Sequence, residues 1–128
     1  MTQERNNDTY TFPFEKLEIW KHAVDLADCT LSILDTFPPN KHPKLTALME
    51  TAVSRVAQNI AEGKGKQYKK DFIQSLQTAE SSLFEFLTVT ELLKRRGCIS
   101  EQDGTKIRTQ SEIIDRKVHG LINSLRKQ

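Results

Sequence analysis

Asn59-Ile60-Ala61-Glu62-Gly63-Lys64-Gly65-Lys66-Gln67-Tyr68-Lys69-Lys70 decides how this chain is read. It closes one amphipathic segment, turns on two glycines and opens the longest periodic segment in the sequence. Four lysines fall within seven positions. Glu62 stands near an expected helix C-terminus, where the macrodipole disfavours an acid by a few tenths to about 1 kcal/mol. A residue placed against local preference points to a partner elsewhere, which singles out Glu62 and its neighbour Asn59.

Upstream, Leu45, Leu48, Met49, Ala52, Val53, Val56 and Ile60 repeat at helical spacing behind Pro43, a residue suited to a first turn. Gly63 is the expected C-cap of this helix. Downstream, Phe72, Leu76, Ala79, Leu83, Phe86, Thr90 and Leu93 form a heptad-like seam over a helix from about Tyr68 to Arg96, stopped by Gly97. Phe84, Leu87 and Leu92 lie off that seam, and their placement predicts burial against more than one partner.

Further out, a helix is expected from about Glu15 to Thr36. Leu17, Trp20, Val24, Ala27, Leu31 and Leu34 form its seam, with Ile19, Ala23, Leu26 and Ile33 as a second stripe. Phe37-Pro38-Pro39-Asn40 ends it. Ser100 with Asp103 reads as a capping box for a last helix, striped by Ile107, Ile114, Val118, Leu121 and Leu125. No segment alternates with the period of two that a strand requires. The fold expected is all-α, an antiparallel up-down four-helix bundle over residues 14–128, preceded by a polar, flexible segment, 1–13.

The totals agree. A chain of 128 residues, 37% hydrophobic and 28% charged, is one surface-rich domain. No run approaches the roughly 18 apolar residues of a membrane span, and the polar start is not a secretory signal. Cys29 and Cys98 have no motif spacing and read as reduced thiols of a cytoplasmic protein. The net charge of +2 is unevenly spread. Three basic and seven acidic residues precede Phe37, a net −4; sixteen and ten follow, a net +6. The basic excess is regional and allows a binding face.

Phe14 to Ala23 (FEKLEIWKHA), Asn59 to Gly63 (NIAEG) and Ala79 to Phe86 (AESSLFEF) carry a family resemblance. The chain resembles the four-helix-bundle proteins encoded by intervening sequences of large-subunit ribosomal RNA, over about Phe14 to Leu125. The accessory variability proteins of diversity-generating retroelements, partners of reverse transcriptases, share that fold. The resemblance implies a ring-forming homopentamer with a basic surface, no catalytic activity, and RNA or DNA as partner. Arg55-Val56-Ala57-Gln58 stands where the family has Ser-Ile-Pro-Ser, and Tyr68 where a Ser or Thr opens the third helix. These departures mark a divergent member and predict a straighter second helix.

Two groups of residues follow. Arg55, Lys64, Lys66, Lys69 and Lys70, then Arg95 and Arg96, are the candidate phosphate contacts, with Tyr68 placed to stack on a base. Asn59 and Glu62, one helical step apart, and Ser82 and Glu85, likewise, are read as an interhelical polar network fixing register. A solvated lysine-rich turn is the plain alternative for the first group. Catalysis has little support. His22, His42 and His119 lie on separate segments, no metal-ligand spacing occurs, and no cofactor motif is present. The competing expectation is a protein-interaction scaffold without a nucleic-acid role.

Overall fold

The computed structural model describes residues 9–128. The expectation of flexibility for residues 1–8 falls outside them. Pro13–Lys16 forms a single 3-10 turn, and Leu17 then takes an extended conformation before α1 begins at Glu18. The helix expected from Glu15 therefore starts three residues later. Aromatic packing accounts for the offset. Tyr10, Phe12, Phe14 and Trp20 pack in series with ring centroids 4.8, 5.8 and 5.0 Å apart, the middle pair stacked and the outer two edge-on, and Phe12 N–H donates to Glu15 Oε2 at 2.7 Å.

Helix α1 spans Glu18–Leu34, α2 Pro43–Lys64, α3 Lys69–Arg95 and α4 Glu101–Lys127. The connections are short, so successive helices run antiparallel. Each helix packs against its neighbours in cyclic order, α1 on α2, α2 on α3, α3 on α4 and α4 back on α1. The expected up-down bundle is the observed one, and no strand occurs among the described residues. No helix among them is long and apolar enough to cross a membrane.

The α3 seam is buried along its whole length, from Phe72 to Leu93. Helix α1 differs from expectation. Ile19, Ala23 and Leu26 of its second stripe face the core while Ile33 is half-buried; of the expected seam, Leu34 is buried but Val24 and Leu31 are exposed. Thr30 completes the buried stripe. Its hydroxyl donates to Leu26 O at 2.8 Å, which satisfies it inside its own helix.

Gly63 is corrected as well. Helix α2 runs through it to Lys64, and Gly65 caps the helix in the right-handed region at φ −84°. Gly63 is buried because α3 approaches it closely, with an added Cβ falling 2.6 Å from Ser75 Cβ. Gly97 stops α3 as expected, at φ +78°. Cys98 N–H donates to Leu93 O at 2.9 Å and Gly97 N–H to Lys94 O at 3.0 Å, the two bonds of a Schellman ending. Ser100 Oγ accepts from Asp103 N–H at 3.0 Å and starts α4. Ile107, Ser111, Ile114, Val118, Ile122 and Leu125 line the buried face of α4, with Leu121 only half-buried.

Candidate nucleic-acid interface

The α2–α3 turn lies at one end of the bundle. Gly65 N–H donates to Glu62 O at 3.1 Å and Lys66 N–H to Gly63 O at 3.0 Å. Tyr68 then caps α3 in an extended conformation, its carbonyl accepting from Asp71 and Phe72 N–H. Residues Lys64 to Lys70 are all exposed. Lys64 Nζ lies 5.9 Å from the Phe72 ring centroid, a cation–π distance.

Lys69 and Lys70 occupy the first turn of α3, where free N–H groups already make the helix end positive. Two lysines there oppose the dipole by a few tenths of a kcal/mol each, so local stability does not explain them. An anion at this corner would meet both the lysines and the helix end. Among the described residues, no carboxylate side chain lies within ion-pair distance of Lys64, Lys66, Lys69 or Lys70.

Helix α4 adds to the same end. Lys69 Nζ donates to the main-chain oxygen of Gln128 at 2.6 Å, which brings exposed Arg126 and Lys127 alongside the turn. These two cations were missing from the sequence-based group. Only the up-down topology places the last turn of α4 beside the first turn of α3.

The remaining candidate contacts lie elsewhere. Arg95 and Arg96 stand at the opposite end of α3, roughly 40 Å away at 1.5 Å per residue. Arg95 Nε is held by Glu91 Oε2 at 2.8 Å, and Lys94 lies between Glu91 and Glu101. The Arg95 hydrogen bond, with Lys94 nearby, holds the Glu91 carboxyl below its ordinary range. Arg96 is exposed and unpaired. Arg55 is exposed on α2, more than two turns from Lys64. One corner therefore carries Lys64, Lys66, Tyr68, Lys69 and Lys70, and the three arginines do not belong to it.

The expected polar network does not form within the chain. Asn59 Nδ2 donates to Arg55 O, one turn back in its own helix, at 2.8 Å. Glu62 and Glu85 are exposed without ion-pair partners, and Ser82 is packed in the core without a hydrogen bond. Local backbone capture and outward orientation replace the interhelical bonds.

A different polar cluster lies partway along the α3–α4 groove. Glu80 projects from α3, and Asp115 and His119 from successive turns of α4. Burial pushes the Asp115 carboxyl up to about 6; the neighbouring Glu80 carboxyl adds to the effect, and the charge of His119 opposes it. A raised folded-state value means that Asp115 contributes stability below about pH 4 which is lost as pH rises through about 6. In the presence of a chelator, Asp115→Asn is therefore expected to be about 1 kcal/mol more stable than wild type at pH 8, after discounting for partial exposure. The advantage should vanish near pH 4, as read by urea midpoints at both values.

A cyclic, antiparallel bundle with exposed lysines clustered at one end defines an all-α protein with an anion-attracting corner. The chain belongs to the 23S rRNA-intervening sequence protein family, whose pattern it matches over residues 15–120. It is similar in fold to the crystal structure of a protein of unknown function from the S23 ribosomal protein family of Bacteroides thetaiotaomicron. The TM-score is 0.74 at 22% identity, over 81% of this chain and 97% of that one. No curated protein matches the sequence.

Proposed function

We propose that this chain is a non-enzymatic accessory protein that binds structured RNA, or an RNA–DNA intermediate, through the basic end formed by α2, α3 and α4. The observation that carries the reading is the exposed corner Lys64–Lys70. Its four lysines lack carboxylate side-chain partners and surround a 58%-exposed Tyr68, and two of them, Lys69 and Lys70, sit at the positive N-terminus of α3. Lysines supply phosphate contacts, and the ring supplies sequence-tolerant stacking. Membership in a family named for intervening sequences of ribosomal RNA supports the same partner class.

In this reading the protein works as a ring of identical subunits in the cytoplasm and serves a nucleic-acid enzyme such as a reverse transcriptase. Repetition of a modest patch around a ring raises its effective concentration for a long polyanion. Exposed Phe84 and Leu92, flanking half-buried Leu87 on α3, supply the apolar surface such a ring would cover. The same strip supports the alternative of a protein-interaction scaffold, which would retain a protein partner after nuclease treatment and bind no RNA.

Titrating a structured RNA hairpin with the protein in gel-shift assays from 50 to 200 mM salt tests the proposal. Four to six phosphate contacts give a log–log slope of roughly −3 to −5 and an affinity loss on the order of 10²-fold. Absence of binding at 50 mM salt, or binding indifferent to salt, would overturn it.

A further inference from the structure

Three ligand-bearing side chains converge on the α3–α4 groove, away from the basic end. His119 Nε2 touches Glu80 Oε2 and lies 3.9 Å from Asp115 Oδ1. One donor atom from each of the three falls within 4.8 Å of the other two. A second observation is independent of this convergence. Asp115 Oδ1 is buried with no hydrogen-bond partner, and so is the hydroxyl of Ser111, one turn earlier on the same face of α4. Ser111 is only 1% exposed, and it lines one cleft of about 180 Å³ together with Asp115. Buried polar atoms are nearly always partnered, so two orphans in one cleft call for an occupant. On the other side of His119, a cleft of about 260 Å³ lined by Gln77, Glu80, Asn123 and Arg126 opens the cluster to solvent.

We propose that Glu80, Asp115 and His119 form a binding site for a divalent transition-metal ion, which bridges α3 to α4. One imidazole and two carboxylates suit zinc and its first-row neighbours, with water completing the coordination. Such an ion holds nitrogen and oxygen ligands at about 2.0–2.2 Å, so adjacent donors stand a little over 3 Å apart. The Glu80–His119 contact opens to that spacing and Asp115 closes toward it. His119 is exposed and Asp115 half-buried, so side-chain rotation supplies both movements without displacing a helix. The ion neutralises two adjacent carboxylates and gives Asp115 Oδ1 its missing partner. Ser111, one turn before Asp115 and lining the same cleft, offers an unpartnered hydroxyl on the Asp115 side of the site.

Full-length protein stripped with chelator and titrated with Zn²⁺ alone provides the test. Thermal unfolding should shift upward by roughly 8 °C at a hundredfold excess over Kd. His119→Ala and Asp115→Asn should each bind Zn²⁺ at least tenfold more weakly. His119 is exposed, so its variant should fold and report on the ion. The double variant Cys29→Ser/Cys98→Ser should keep the full shift, and Co²⁺ substitution should show a d–d spectrum without a thiolate charge-transfer band. No shift in the wild type, an undiminished shift in His119→Ala, or a shift lost with the cysteines would overturn the assignment.

Discussion

Gly63→Val is expected to destabilise the protein by about 3 kcal/mol, and Gly63→Ala by about 1 kcal/mol. A Cβ at this position falls 2.6 Å from Ser75 Cβ and 3.0 Å from Phe72 Cδ1, both on α3. Ordinary carbon–carbon contact needs about 3.5–4.0 Å. Ser75 Cβ is fixed to its backbone and cannot rotate away, so the two helices must separate by about 1 Å. That movement loosens Ile60, Phe72 and Leu76, which are buried at the same level of the bundle. Alanine recovers nearly 1 kcal/mol through its better helix propensity, and valine recovers less. The measurement is urea unfolding of the two variants, with Gly63→Ala/Ser75→Gly as a partner. Removing the opposing Cβ should make the second substitution less costly in the Gly63→Ala background than alone. A Gly63→Val protein with a wild-type midpoint would mean that α2 and α3 do not approach as described.

The contrast between Gly63 and Gly97 shows what the sequence could convey. Both glycines follow an amphipathic run and both read as helix stops. Gly97 is one, because nothing packs over it and the chain takes a positive φ there. Gly63 is not, because its missing side chain matters to another helix, a tertiary fact invisible to local pattern. The α3 seam was legible because apolar residues dominate it, with Thr90 as a tolerated exception. On α1 two stripes of similar hydrophobicity competed. The one containing Thr30 prevailed, although a sequence reading scores threonine as polar. Contiguous Lys64 to Lys70 could be found as a group, whereas Arg126 and Lys127 join it only through topology. Glu80 and His119 are separated by 39 residues and share no spacing motif, so their meeting required the packed α3–α4 pair. Asn59 and Glu62 drew attention through the unfavourable place of an acid near a helix C-terminus and through their helical spacing. Spacing places two residues on one face but does not say that the face meets another helix.

Lys66→Glu/Lys69→Glu/Lys70→Glu is expected to lower RNA affinity on the order of 10²- to 10³-fold near 150 mM salt and to reduce the salt slope by roughly three units. Under the proposed function each substitution deletes a phosphate contact and adds a repulsive charge. None of the three lysine side chains pairs with a carboxylate side chain in the structure, so folding loses only the exposed Lys69–Gln128 hydrogen bond. Glutamates at positions 69 and 70 would complement the positive end of α3, where the lysines oppose it, which offsets the lost Lys69–Gln128 bond, so the triple variant should stay within about 1 kcal/mol of wild type. A large loss of binding at nearly unchanged stability therefore separates a lost interface from a damaged fold. Reversing Arg95 and Arg96 at the far end of α3 should change affinity by less than about threefold, because Arg95 is already engaged by Glu91. Tyr68→Ala, which leaves the charge intact, should weaken a single-stranded RNA probe by about 1–3 kcal/mol while preserving the salt slope. Retained affinity in the lysine triple variant would exclude this corner, and a loss confined to the Arg95/Arg96 variant would move the contact surface to the opposite end of the bundle.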